Sequence, residues 1–134
     1  SEEMLKFTKI WFLLAGCVQF TFAIVFLFLW EWFFLGIQHW PFEDPGLPLI
    51  FGGAALSLSV MCFLTFFKAN WASAKTPLIT EMVFAFTGIP IMFYIQFALE
   101  GVHAWNWFNT FFYFLIGIGF AVALYLELKA RKVE

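Results

Sequence analysis

Glu81 stands inside the run TPLITEMVFAFTGIP, where no other residue from Thr76 to Pro90 carries charge. An ionisable group within an apolar span is costly, and its usual work is to carry a proton or to recognise a ligand. A second role is open to Glu81. It can snorkel toward the nearer surface, beside Lys75 and the positive end of its own helix, or accept a hydrogen bond from Tyr125. With Pro77 in the first helical turn and Thr76 as N-cap, Glu81 lies about 6 Å into the span. Tyr125, counted back from Lys129, and Thr65, counted back from Lys68, come to about the same depth. Thr65, Glu81 and Tyr125 are therefore expected to form a polar layer at one end.

Gln19 is deeper, about 13 Å in from Ile10, on a helical stripe with Gly16 and Ala23. An interhelical hydrogen bond would satisfy its amide without any activity. The alternative places it on a cavity between the first and third helices, continuous with Glu81, and that pair is the first choice for a ligand site. Cys17 and Cys62 reach similar depths, roughly 9–12 Å from the basic end. Thiols in hydrocarbon ordinarily act as packing residues, and no CxxC is present. His39 and His103 fall near Glu43, Asp44 and Glu100, and Glu100-x-x-His103 has the spacing of a di-iron half-site. That chemistry needs two such motifs and two further carboxylates in a bundle core, so no metal site is predicted, and solvated histidines are expected. No nucleophile elbow, phosphate loop or zinc-protease pattern occurs, and no enzyme is predicted.

The elements that must position these residues follow from the charge distribution. No charged residue lies between Lys9 and Glu31, Asp44 and Lys68, Glu81 and Glu100, or Glu100 and Glu127. A helix needs about 20 apolar residues to cross a bilayer core. Four spans are predicted, over residues 10–36, 47–67, 77–99 and 104–128, giving an all-α integral membrane four-helix bundle. Of the 134 residues 63% are hydrophobic and 12% charged, with 22 Phe and 7 Trp, more apolar surface than a soluble domain of this length can hide.

All seven basic residues fall on one side of alternating spans: Lys6 and Lys9, Lys68 and Lys75, then Lys129, Arg131 and Lys132. The positive-inside rule makes that side cytoplasmic, so both termini are expected inside a cell (plasma or inner) membrane. The other side carries residues 38–45 and 100–107, acidic and tryptophan-rich, as an interfacial belt. Trp11 and Trp71 are the matching anchors inside. Connections of about ten residues or fewer predict one domain over residues 1–134, with sequential helices packed antiparallel. The first segment reads as a retained span rather than a cleaved leader. A net charge of −2 gives no reason to expect nucleic acid.

Helix association is expected to rest on small residues: Gly52, Gly53, Ala54, Ala55, Ser57 and Ser59 in the second span, and Gly117, Gly119, Ala121 and Ala123 in the fourth. Glu81, Ala85, Gly88 and Met92 share one stripe of the third, where Pro90 frees the Phe86 carbonyl and bends the helix.

The run GGAALSLSVMCFLTFFKANWASAKTPLITEMVFAFTGI, a small-residue helix leading through a short basic loop into a further helix, resembles the middle of the small four-helix membrane proteins grouped as DoxX-like. The resemblance implies a partner subunit or a quinone-like ligand. It carries over no functional residue.

Three function classes remain. The leading reading is a non-catalytic accessory or structural subunit of a larger membrane complex, partnered by membrane lipid and by other subunits or copies of itself. The second is a binder or carrier of a lipid, quinone or other apolar molecule, with Glu81 and Gln19 as polar contacts. The third, a small homo-oligomeric transporter, lacks a continuous polar path and an inverted repeat. No cofactor is predicted.

Overall fold

The computed structural model describes residues 2–133. Four helices are long and apolar enough to cross a membrane: α1 (Lys6–Phe28), α2 (Gly46–Lys68), α3 (Trp71–Ala98) and α4 (Asn106–Val133). Large apolar side chains cover their outer surfaces, Ile50, Phe67 and Phe97 among the most exposed. Such a surface suits lipid rather than water, because inside hydrocarbon there is no driving force to bury it. The chain is thus compatible with a multi-pass membrane protein.

The first predicted span does not continue as one α-helix to residue 36. It ends at Phe28, and Glu31–Ile37 winds as a π-helix. The wider turn is closed by the Gln38 N–H donating to the Phe33 carbonyl five residues back, at 2.8 Å. It sets Phe33 and Phe34 side by side against Phe26, with centroid separations of 5.8 and 4.9 Å.

The α2–α3 connection is shorter than expected. Ala69 takes a left-handed conformation at φ 53° and Asn70 caps α3, its side chain accepting from the Ser73 N–H at 3.2 Å. Thr76 and Pro77 therefore do not begin the helix; Pro77 and Pro90 both lie within it. An asparagine able to cap, about two turns upstream of the proline, overrides the preference of proline for a first turn.

Two tight pairs make the bundle. In the α1–α2 pair, the Ser59 hydroxyl donates to the Gly16 carbonyl at 2.8 Å, and Gly52 meets Phe26 and Leu27. In the α3–α4 pair, Gly117 faces Ala85 and Gly88 lies under the Tyr113 ring. The pairs join in their basic halves, where Phe12 packs on Phe120 at 4.9 Å amid Leu78, Ala74 and Ala123, and Trp11 lies on Gly119. The expected small-residue face of α4 is largely buried, at Gly117, Gly119 and Ala123, and that of α2 is half right. Gly52, Ala55 and Ser59 are buried, whereas Ala54 and Ser57 are exposed and nothing approaches Gly53.

At the same end, residues 2–4 pair with the α2–α3 corner, Met4 N–H to Ala69 carbonyl and Trp71 N–H to Glu2 carbonyl at 3.1 and 2.7 Å. Glu127 is buried above them. Its Oε1 accepts from the Leu5 N–H at 2.7 Å and the Thr8 hydroxyl at 2.6 Å, while Arg131 binds its Oε2. A carboxylate at the start of α1 answers both the free N–H groups and the positive dipole end of that helix.

Candidate functional site

Because the pairs join mainly at the basic end, they part toward the other. Between them lies a cavity of about 350 Å³, within the size range of small-molecule sites. All four helices contribute to its wall, which is overwhelmingly aromatic and aliphatic: Phe22 and Phe26 from α1, Phe51 and Leu58 from α2, Phe84 and Ile91 from α3, Phe112 and Ile116 from α4. The aromatic bias of the sequence concentrates here, with Phe22 in contact with Phe26, Phe33, Phe108 and Phe112.

Gln19 and Tyr113 supply polar groups in the cavity's deeper half. Gln19 Nε2 donates to Glu81 Oε2 at 2.7 Å. Cys62 lies beside both, its Sγ 3.2 Å from Glu81 Oε1 and 3.5 Å from Gln19 Oε1, so its single S–H serves one acceptor at a time. Glu81 itself does not line the cavity. It is wholly buried behind Gln19, in the core between α1, α2 and α3.

Gln19 makes an interhelical hydrogen bond, as expected, and its partner is Glu81; of the two residues expected to share a ligand cavity only Gln19 lines it, and the polar layer of Thr65, Glu81 and Tyr125 is not formed. Tyr125 is 62% exposed, with the Lys129 ammonium 5.9 Å from its ring centroid. The Thr65 hydroxyl donates to the Met61 carbonyl of its own helix at 2.7 Å. Depth counting failed because α3 starts at Trp71, which moves Glu81 to about 15 Å from the helix start. Snorkelling toward the basic end is excluded by that burial. Cys62, expected only to pack, is the third member of the cluster, while Cys17 is exposed.

At the mouth, Gln38 and Asn109 exchange amide hydrogen bonds at 3.0 and 3.1 Å, and Asn109 Nδ2 also donates to Asn106 Oδ1 at 3.3 Å. The sequence reading placed Gln38 and Asn106 only in the interfacial belt and passed over Asn109. The signal was there in Asn106 and Asn109, three apart and so on one face of the first turn of α4.

His39 and His103 do meet, their ring centroids 5.3 Å apart across the two loops at this end. His103 Nδ1 accepts from the Trp105 N–H at 3.2 Å. Glu100 and His103 lie in the turn between α3 and α4, so a half-site on one helix face is not formed. Among the described residues no group of three or more His, Cys, Asp or Glu is placed to hold a metal ion.

Comparison with protein-family models, with curated proteins and with solved structures finds no match to the chain.

Proposed function

We propose that this is a multi-pass membrane protein, its basic end cytoplasmic, which holds an apolar molecule of the lipid or quinone class in the cavity between its two helix pairs. The aromatic cavity, with so few polar groups on its wall, carries this reading. Gln19 is the polar contact at depth, and Glu81 acts through it by fixing the orientation of its amide. The accessory-subunit alternative rests on the exposed aromatic flanks, which acyl chains cover as well as a partner helix does. A DoxX-like relationship would agree with either reading.

The test is ligand-induced stabilisation, since anything that binds only the folded state raises its stability. Adding a single-chain lipid or a short-tailed benzoquinone to the purified protein in detergent is expected to raise its Tm. Ala55 is buried on the cavity wall, and Ala55→Phe, which fills the space, is expected to remove that rise. No rise in the wild-type protein with either compound would sink the proposal.

A further inference from the structure

We propose that the cavity selects an uncharged chain molecule whose head carries a hydrogen-bond-accepting oxygen, and that the Asn106 amide at the mouth is the group that reads it. This rests on the reading of the cavity as a binding site.

Asn106 is only 3% exposed and lines the cavity, yet its Nδ2 has no hydrogen-bond partner. Its Oδ1 receives the Asn109 Nδ2 donor, and Asn109 exchanges amide hydrogen bonds with Gln38 in both directions. What remains is a buried donor, and leaving such a group unpaired is costly. An oxygen acceptor on a ligand would satisfy it.

Charge on the wall narrows the ligand further. No Lys, Arg or His lines the cavity among the described residues, and Asp44 stands at its mouth. A carboxylate or phosphate head would find no counter-charge and would meet Asp44. A cationic head would meet the donor hydrogens of Asn106. A neutral carbonyl oxygen suits both.

Shape supplies the rest. The lining runs along α4 from Asn106 to Ile116, about 15 Å of helix, and Phe112, Tyr113 and Ile116 continue it beyond the Asn106 and Asn109 amides toward Gln19 at depth. Tyr113 also lines the cavity, and its phenolic hydroxyl is a donor for a second acceptor along the chain. An acyl ester and a tailed quinone both offer a neutral carbonyl oxygen on an apolar body.

The experiment is native mass spectrometry of the full chain in detergent, titrated separately with hexadecane, methyl hexadecanoate, hexadecanoate and a short-tailed benzoquinone. In the wild-type protein the ester or the quinone is expected to bind about five- to tenfold more tightly than hexadecane, as one neutral hydrogen bond allows. Hexadecanoate is expected to bind more weakly than its ester. In Asn106→Leu the oxygen-bearing ligand loses that advantage while hexadecane binding holds. Loss confined to the ester identifies an acyl lipid, and loss confined to the quinone a quinone; both support the inference.

Hexadecane binding with no preference for oxygen in the wild-type protein would overturn the inference and leave the cavity proposal standing. Tighter binding of hexadecanoate would overturn it as well. Binding of none of the four would overturn both. The comparison among ligands in the wild-type protein decides the matter even where Asn106→Leu does not fold.

Discussion

Gln19 on α1 and Glu81 on α3 are joined by a 2.7 Å hydrogen bond between two buried side chains sixty-two positions apart in the sequence. The amide donates and the carboxylate accepts, so the two partners are not equivalent. Removing Gln19 leaves the buried Glu81 side chain with only the weak Cys62 donor, whereas Glu81→Gln keeps an amide acceptor in place. Gln19→Leu is expected to destabilise the protein by about 1–3 kcal/mol. Glu81→Gln is expected to cost less than about 1 kcal/mol, in line with interhelical hydrogen bonds in membranes. Reversible unfolding in mixed micelles measures both, and equal costs would refute the asymmetry.

Gly88 and Tyr113 make a steric prediction. A Cβ on Gly88 would come within 2.2 Å of the Tyr113 ring, which must then swing away. Gly88→Ala is expected to cost about 1–3 kcal/mol, as overpacking does, and to weaken binding in the cavity that Tyr113 lines. In a Tyr113→Leu background the same change should cost much less, and the double-mutant cycle isolates that coupling. An unchanged cost in both backgrounds would mean that the ring is not the obstacle.

The basic end is held by Glu127, which accepts from the Leu5 N–H, the Thr8 hydroxyl and Arg131. Glu127→Ala is expected to lower stability by about 1.5–3 kcal/mol, the range for hydrogen bonds to a charged group. It should also free the start of α1, read as faster amide hydrogen exchange at Leu5. Retained protection there would show that pairing of residues 2–4 with the α2–α3 corner is enough to hold the segment.

Orientation is tested by labelling. With Cys17 replaced by Ser, Lys75→Cys should react with a membrane-impermeant maleimide only after cells are opened, and Phe42→Cys should react on intact cells. Both positions are exposed, and Cys62 is buried and out of reach. The reverse pattern would invert the proposed topology.

Much of this architecture was legible because charge and hydropathy are read one residue at a time. The charge-free stretches placed all four helices, and the isolation of Glu81 and Gln19 in apolar surroundings drew attention to the pair that the structure joins. What failed depended on local geometry. Asn70 as a cap moved the start of α3 and with it the level of Glu81, so Tyr125 and Thr65 were matched to the wrong layer. The π-helical turn after Phe28 leaves no mark in an aromatic run, because rings seven or eight residues apart share a face in an α-helix as well. A cavity beside Gln19 was expected between the first and third helices, but its extent along all four helices was harder to foresee. It exists because the helices of the two pairs pack most closely in their basic halves, which is a relationship between helices and not a property of any one of them. Asn106, Asn109 and Gln38 gained their meaning from it.

The most direct test of the central claim is native mass spectrometry of the protein released gently from its own membrane, alongside Ala55→Phe. The account predicts an apolar small molecule retained by the wild-type chain and absent from the variant whose cavity is filled. A wild-type chain that carries nothing, or the same bound mass on both proteins, would contradict it.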